Sequence, residues 1–126
     1  MTHDSVQAWL NRYVAAWRTY DADQIGALFS ADARYFYYPF DEQDPVRGRA
    51  AIVATWLEDP DVAGSWDAHY VPITVKGDVG VAQGRTRYFR ADGTLDREFA
   101  NLFVVHVDAA GQCTQFTEWY MQHPTS

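Results

Sequence analysis

The stretch WDAHYVPITVKGDVGVAQGRTRYFRADGTLDREFANLFVVHVDAAGQCTQFTEWYMQ, residues 66–122, decides the fold of this chain. Turn-forming sequences divide it into four extended runs, at 66–76, 79–90, 96–107 and 112–122. The dividing sequences are Lys76-Gly77-Asp78, Ala91-Asp92-Gly93-Thr94 and Ala109-Ala110-Gly111. Short connections that contain glycine are typical of hairpins when they join β-rich runs. The stretch therefore predicts a four-stranded antiparallel meander.

Upstream of the meander, residues 4–20 carry the clearest helical pattern. Apolar side chains recur at spacings of three and four, at Val6, Trp9, Leu10, Tyr13, Trp17 and Tyr20. This spacing predicts one apolar face of an amphipathic helix. Asp4 or Ser5 is the expected N-cap. A shorter helix is expected from about Asp23 to Phe29, capped by Asp21 or Asp23.

A strand and a third helix are expected between these helices and the meander. Residues 33–40 read Ala-Arg-Tyr-Phe-Tyr-Tyr-Pro-Phe, and four consecutive aromatic residues favour a strand. Pro39 ends that strand or confines it to a sheet edge. Residues 41–49 are polar and predict a loop, and residues 50–57 predict a helix. The order predicts an α+β fold with N-terminal helices packed on one face of a mostly antiparallel sheet.

Length and composition narrow the classes of function. The chain has 126 residues, which predicts a single domain over 1–126. Its 17 acidic side chains against 10 basic ones give a net charge of −7, which argues against nucleic acid or a membrane surface as partner. The single Cys113 cannot form an intrachain disulfide. Neither a signal peptide nor a membrane-spanning run is recognised, so we expect the chain in the cytoplasm.

Several motifs along nearly the whole chain carry a family resemblance. They are Ala16-Trp17, Leu28-Phe29-Ser30-Ala31-Asp32-Ala33, Pro39-Phe40 before Gly48, Gly84-Arg85-Thr86-Arg87-Tyr88, Phe103-Val104-Val105-His106-Val107-Asp108 with Gly111, and Phe116-Thr117-Glu118-Trp119-Tyr120. With the order of elements, they resemble the nuclear transport factor 2-like superfamily, within it the SnoaL-like polyketide cyclase and ketosteroid isomerase-like group. The resemblance implies a cone-shaped half-barrel, or cystatin-like roll, whose strongly curved sheet encloses a deep apolar pocket. It also implies a homodimer through the outer face of the sheet.

The resemblance also suggests which strand faces line that pocket. Gly111 aligns with a glycine of ketosteroid isomerase-like proteins, and side chains alternate between the two faces of a strand. The side chains then expected to point inward are Phe99, Asn101, Phe103, Phe116, Glu118 and Tyr120. A one-residue bulge would reverse this register.

Glu118 is the sharpest candidate for chemistry, because aromatic residues flank it in Phe116-Thr117-Glu118-Trp119-Tyr120. A carboxylate buried there needs a partner or a raised pKa. Arg85 or Arg87 could pair with it across strands. In a functional interpretation Glu118 is a general base or ligand anchor, and the arginine clamps an oxyanion or carboxylate. The alternatives are a structural ion pair and exposure at the sheet margin.

Other candidates surround Glu118 in this hypothesis. Asn101 could orient a carbonyl group of a ligand, or it could satisfy nearby backbone. Tyr13 is the candidate donor to a developing enolate, a role that tyrosine has in isomerases of this fold. The residues expected to line the pocket are Trp17, Tyr38, Phe40, Trp56, Arg85, Phe99, Phe103, Phe116 and Tyr120.

The chain departs from ketosteroid isomerase-like proteins in its acids. Those proteins carry an Asp base just before the proline that follows the first strand, and a second acid on the third meander strand. Here Tyr38 precedes Pro39, the matching position on the third meander strand is near Phe99 or Asn101, and the paired-carboxyl arrangement is therefore absent. Asp44 could serve as a displaced base only if its loop folded inward. The scattered histidines lack the spacing of a metal site, and no cofactor is expected.

Three functions therefore stay open. The first is a pocket for a small apolar molecule with acid–base catalysis of the isomerase, cyclase or dehydratase type on a carbonyl compound. The second is a module that binds such a molecule without transforming it. The third is a dimeric scaffold whose pocket is only core. The fold alone does not choose among them, because the superfamily hosts enzymes and binding modules alike.

Overall fold

The computed structural model describes residues 1–39 and 45–124. Its elements are α1 (His3–Thr19), α2 (Ala22–Ala27), β1 (Phe29–Phe36), β2 (Val46–Arg47), α3 (Arg49–Glu58), β3 (Trp66–Lys76), β4 (Val79–Phe89), β5 (Leu95–Val107) and β6 (Cys113–Gln122). The strands form a curved, unclosed six-stranded sheet in the order β2-β1-β6-β5-β4-β3. The predicted α+β half-barrel, with N-terminal helices on a mostly antiparallel sheet, is confirmed.

Strands β3 to β6 form the predicted meander, and each end lies within one residue of its predicted position. Each pairs with the next in an antiparallel ladder. Strand β1 differs, because it pairs in parallel with β6 and sets Tyr35 opposite Phe116. It also begins at Phe29, so that residue belongs to a strand and not to the second helix as predicted.

Helix α1 begins with a different cap from the predicted one. Thr2, rather than Asp4 or Ser5, is the N-cap. Its Oγ1 accepts a bond of 3.1 Å from the Ser5 backbone N–H, and the Ser5 hydroxyl accepts one of 2.8 Å from the Thr2 N–H. This reciprocal pair satisfies two backbone donors that a helix start leaves open. The helix ends at Thr19, and the C-cap residue Tyr20, with a φ of 50°, turns the chain out of the helix.

The segment between β1 and α3 corrects the predicted loop at 41–49. Val46 and Arg47 form the short strand β2, which pairs with β1. Gly48 then precedes helix α3, which begins at Arg49. Phe40 and the acidic residues Asp41, Glu42 and Asp44 lie outside the described residues.

The apolar face of α1 packs on the concave face of the sheet. Its buried residues are Val6, Trp9, Leu10, Tyr13 and Ala16. Trp9 lies in the centre of the core and donates from Nε1 to the Leu28 carbonyl at 3.0 Å. Cys113 is fully buried, and burial raises the pKa of its thiol to about 12. At neutral pH the thiol therefore stays protonated. A buried, protonated thiol packs as a small core residue and is a poor nucleophile.

Gly84 gives the concave face its shape. It pairs with Tyr70 in the β3–β4 ladder. A Cβ at this position would lie 1.9 Å from the carbonyl oxygen of His69 and 2.5 Å from the Tyr70 ring. The missing side chain therefore lets β3 approach closely and lets Tyr70 lie across the inner surface of the sheet. Within residues 1–39 and 45–124, no helix is long and apolar enough to cross a membrane.

Candidate functional site

A cavity of about 520 Å³ is lined by helices α1 and α3 and the concave face of the sheet. Its size is in the range of small-molecule sites. All eight tyrosines of the chain line it: Tyr13, Tyr20, Tyr35, Tyr37, Tyr38, Tyr70, Tyr88 and Tyr120. The other described lining residues are Trp17, Thr55, Trp56, Asp59, Asp61, Thr86, Phe99, Asn101 and Glu118.

The register of β5 and β6 brings Asn101 and Glu118 to this wall. Asn101 lies opposite Tyr120, and Phe103 lies opposite Glu118. Asn101 and Phe103 are 8% and 1% exposed, and Phe116 is fully buried. The predicted inward set of these two strands is thus confirmed, and the bulge near His106 does not reverse it.

A chain of three hydrogen bonds joins four strands, β3 to β6, and ends on Glu118. The Tyr70 hydroxyl bonds to Oγ1 of Thr86. The Thr86 hydroxyl in turn donates to Oδ1 of Asn101 at 2.9 Å, and Nδ2 of Asn101 donates to Oε1 of Glu118 at 3.2 Å. Because the single hydroxyl proton of Thr86 is donated to Asn101, Tyr70 must be the donor in the bond between Tyr70 and Thr86. Every donor in the chain then points toward the carboxylate.

Glu118 is a half-buried carboxylate whose described polar partner is an amide. Burial raises the pKa of its carboxyl from 4.5 to about 7, and the hydrogen bond from Asn101 opposes only part of that rise. Among the described residues, no arginine, lysine or histidine forms a salt bridge with it. A carboxyl group with a pKa near 7 can both accept and return a proton at neutral pH.

The predicted pairing of Glu118 with Arg85 or Arg87 is wrong. Arg85 lies on the outer face and contacts Glu98 at 3.2 Å, with 74% of its side chain exposed. Arg87 contacts Asp67 at 3.4 Å on the same face. Two facts of topology explain this. Strand β5 separates β4 from β6, and pairing with β5 turns Thr86 inward beside Phe99, so that the flanking arginines point outward.

Tyr13 and Tyr35 place a second polar pair in the wall. Their hydroxyls lie 3.1 Å apart, and either can be the donor. Burial, together with the negative charge of Glu118, raises the pKa of both phenols well above 10. Both hydroxyls therefore stay protonated at neutral pH. Since only one proton is needed for the bond between them, the other O–H can be donated to a ligand.

A third polar cluster lies at the end of α1, beside the loop after α3. Nε1 of Trp17 donates to the Tyr20 hydroxyl and to Oδ2 of Asp61, both at 3.0 Å. The Asp61 backbone N–H donates to the Tyr20 hydroxyl at 2.8 Å. The left-handed turn at Tyr20 thus fixes a carboxylate at the cavity wall. The Trp17 ring is held further by stacking on Trp66, with ring centroids 3.6 Å apart.

The other predicted lining residues divide into four groups. Those that line the cavity are Trp17, Tyr38, Trp56, Phe99 and Tyr120. Phe103 and Phe116 instead lie in the core behind Tyr13, with ring centroids 6.0 and 5.6 Å from its ring. Arg85 lies on the outer face, and Phe40 is outside the described residues.

Sequence reasoning missed several polar lining residues. The wall was expected to be apolar with few polar groups, but phenol hydroxyls and carboxylates are distributed around it. Thr86 and Tyr88 alternate with the arginines in Gly84-Arg85-Thr86-Arg87-Tyr88. Only the charged residues of this motif were predicted to belong to the site. The alternation itself was the available signal, because the uncharged set is the one that a cavity wall favours. Within the described ranges, no three His, Cys, Asp or Glu side chains could together hold a metal ion.

Comparison with known proteins agrees with this architecture. Residues 10–118 match the family model of the SnoaL-like domain. One similar solved structure is an NTF-2-like protein of unknown function from Burkholderia xenovorans LB400, with a TM-score of 0.67 and 14% identity over 93% of this chain and 83% of that one. Another is a protein of unknown function with a cystatin-like fold from Methylobium petroleophilum PM1, with a TM-score of 0.69 and 17% identity over 100% of this chain and 81% of that one. No curated protein matches in sequence.

Proposed function

The chain belongs to the SnoaL-like domain family, and we propose that it is an acid–base enzyme that moves a proton on a small, largely apolar carbonyl compound. Glu118 is the proposed general base. The observation that carries the proposal is the geometry of this residue: a half-buried carboxylate on the wall of an aromatic cavity, held by one amide and by no described cation.

That geometry favours proton transfer over a purely structural role. Structural buried carboxylates are paired with cations or multiply hydrogen-bonded, because desolvation is costly. Here the chain Tyr70–Thr86–Asn101 supplies one directed bond to Oε1 and orients the carboxylate. Its other oxygen can accept a proton from a molecule in the cavity. General bases work best with a pKa near the working pH.

The proposed step balances within the site. Ionised Glu118 removes a proton from the carbon next to the substrate carbonyl, and the electron pair of that C–H bond becomes an enolate. The O–H left over in the Tyr13–Tyr35 pair donates to the enolate oxygen. The new carboxylic acid of Glu118 then returns the proton, either to the same carbon or to another carbon of the conjugated system. The second outcome is an isomerisation and needs no cofactor.

Deuterium exchange tests this proposal without knowledge of the natural substrate. The probe is 2-tetralone, an aromatic ketone with acidic C–H bonds next to its carbonyl, incubated with the protein in D₂O and followed by mass spectrometry. We expect exchange faster than in buffer, with a rate that rises with pH around 7. The Glu118→Gln variant should lose about 100-fold or more of the protein-dependent rate.

A matched substitution controls for general effects of removing a carboxylate. Glu98→Gln makes the same change on the outer face of the sheet and should leave the exchange rate within two-fold. Equal rates for wild type and Glu118→Gln would contradict the assignment of the base. Saturable binding of 2-tetralone without any exchange would contradict catalysis and favour a binding module.

We also propose that the chain forms a homodimer through the outer face of the sheet. Large apolar side chains are exposed there on β5 and β6: Leu102 is 36%, Trp119 40% and Met121 74% exposed. Leu102 and Trp119 are directly opposite each other in the ladder. A contiguous exposed apolar patch is typical of an interaction surface. Analytical ultracentrifugation should show a dimer, and the Trp119→Glu variant should be a monomer. A wild-type protein that is monomeric at 100 μM, a concentration on the order of the Kd of a weak dimer, would contradict the proposed dimer.

A further inference from the structure

Carboxylates outnumber cations at the cavity wall, where the Arg97 guanidinium lies over the rings of Tyr88 and Phe99 and contacts Asp96. Among its described lining residues, Asp59, Asp61 and Glu118 carry carboxylates, and none is a lysine, arginine or histidine. The Glu58 carboxylate is also close enough to raise the pKa of the Tyr37 phenol. A wall of this charge disfavours anionic ligands such as carboxylates and phosphates.

Aromatic rings make up the larger part of that wall. Eleven of the 17 described lining residues are aromatic. The face of an aromatic ring attracts a cation, and the attraction is strongest where water is excluded. The molecule already uses this interaction beside the cavity. The Arg97 guanidinium lies 4.6 Å from the centroid of Tyr88, a lining residue, and contacts Asp96 at 3.6 Å.

Asp61 provides a fixed anionic group among these rings. Trp17 and Tyr20 both donate to its Oδ2, which holds the carboxylate in one orientation. The side-chain hydrogen bonds described for Asp61 all use this oxygen, so Oδ1 can face a ligand. Trp17, Tyr20 and Asp61 all line the cavity. A carboxylate held between a tryptophan and a tyrosine is a favourable site for an organic ammonium group.

We propose that the natural ligand of this cavity is a small organic cation, in which an apolar skeleton carries a protonated or quaternary amine. The ammonium group lies beside Asp61 and the Trp17 ring, and the skeleton occupies the aromatic cavity. This inference rests on the same cavity as the proposed function and deepens it, because it assigns a charge to the carbonyl substrate.

Three probes of similar shape and different charge test the inference. Phenyltrimethylammonium is the cation, tert-butylbenzene is its uncharged isostere, and benzoate is the anion. Proton NMR titrations with wild-type protein at pH 8 and low salt give each Kd. We expect the cation to bind at least about ten-fold more tightly than tert-butylbenzene, and benzoate to bind most weakly. Equal or tighter binding of tert-butylbenzene or benzoate would overturn the inference.

A pair of variants assigns the charge preference to the proposed position. Asp61→Asn should weaken phenyltrimethylammonium about ten-fold and leave tert-butylbenzene within two-fold. Asp4→Asn removes the same charge at the opposite end of α1 and should change neither. If the two variants behave alike, the proposed position is wrong. The wild-type titrations decide the ligand class even if Asp61→Asn fails to fold.

The outcome can be separated from that of the proposed function. If the wild-type protein does not prefer phenyltrimethylammonium over tert-butylbenzene but catalyses 2-tetralone exchange, this inference alone is overturned. A preference for the cation without 2-tetralone exchange supports an organic-cation binding site and overturns the proposed catalysis instead.

Discussion

The two faces of the meander use charge in opposite ways, although both come from alternate residues of the same strands. On the outer face, Arg85 and Arg87 contact Glu98 and Asp67 at the protein surface. On the concave face, Glu118 has an amide for its partner and lies among aromatic rings. Each outer carboxylate therefore shares its charge with a cation, whereas the inner one has no described cation to share it with.

This difference indicates that the reactive carboxylate lies on the concave face and not on the outer one. Exposed ion pairs contribute little to stability, because water already solvates both partners. A carboxylate removed from water without a counter-ion has a raised pKa and destabilises the folded state at high pH. Such a cost is retained where function requires it. The comparison predicts that substitutions on the concave face have large effects and that matched substitutions on the outer face have small ones.

The largest effect is expected for Gly84→Ala, on the concave face. Its new Cβ would collide with the His69 carbonyl oxygen and the Tyr70 ring, so strand β3 must move. We expect a loss of about 3 kcal/mol in the free energy of unfolding, measured by urea denaturation. Gln83→Ala, on the neighbouring exposed position, should cost less than about 0.5 kcal/mol. Similar losses for the two variants would remove the asymmetry between the faces.

The second effect concerns Glu118 and depends on pH. Folding raises the pKa of its carboxyl from 4.5 to about 7, so the folded protein binds the proton more tightly than the unfolded chain. The resulting stability is complete below pH 4.5 and is lost as the pH rises through 7.

Glu118→Gln should therefore stabilise the protein at pH 8, by about 2 kcal/mol after a discount for partial exposure, and change little at pH 4. Denaturation of both proteins across this range measures the difference. A variant that is less stable than wild type at pH 8 would show that the carboxylate is stabilised by its surroundings rather than strained by them.

A third effect tests the hydrogen-bond chain that ends on Glu118. Thr86→Val removes the hydroxyl between Tyr70 and Asn101 and leaves a buried amide oxygen without its donor. We expect a loss of about 1–2 kcal/mol in stability. The freed Asn101 also holds the carboxylate less well, so the pKa of Glu118 should rise further. The midpoint of the pH–exchange profile with 2-tetralone measures this rise.

Thr117→Val provides the control, because Thr117 alternates with Glu118 and lies on the outer face of β6. It should not move the midpoint of the pH profile. If Thr86→Val also leaves the midpoint unchanged, Thr86 is a packing residue and does not position Glu118.

The smallest effects are expected for Arg85→Ala and Arg87→Ala. Each removes an exposed ion pair and should cost at most about 0.5 kcal/mol, with the 2-tetralone exchange rate within two-fold of wild type. A loss of exchange by more than ten-fold in either variant would mean that the arginine acts on the cavity after all.

Much of the fold could be predicted because its signals are local. Glycine-containing turns and alternation placed β3 to β6 to within one residue, and the spacing of Trp9, Tyr13 and Trp17 located α1. The errors occur where a distant partner decides the outcome. Phe29 joins a strand because β6 pairs with β1, and β2 forms because β1 presents an edge to it.

The site divides in the same way. Glu118 and Asn101 could be singled out, since a polar residue among aromatic ones is visible in the sequence. Thr86, Tyr70 and Asp61 could not, because their importance depends on contacts across strands and between loops. Choosing Arg85 and Arg87 as partners of Glu118 was wrong because it assumed that β4 lies beside β6.

By itself, the sequence determined the elements of this protein and the two faces of each strand, because periodicity and turn chemistry act over a few residues. Only the tertiary structure decided which face is concave and which residues meet there. Eight tyrosines scattered from position 13 to position 120 line one cavity because the strand order and the closing helices bring them together. That order depends on pairing between distant segments, and so do the isolation of Glu118 and the charge of the cavity.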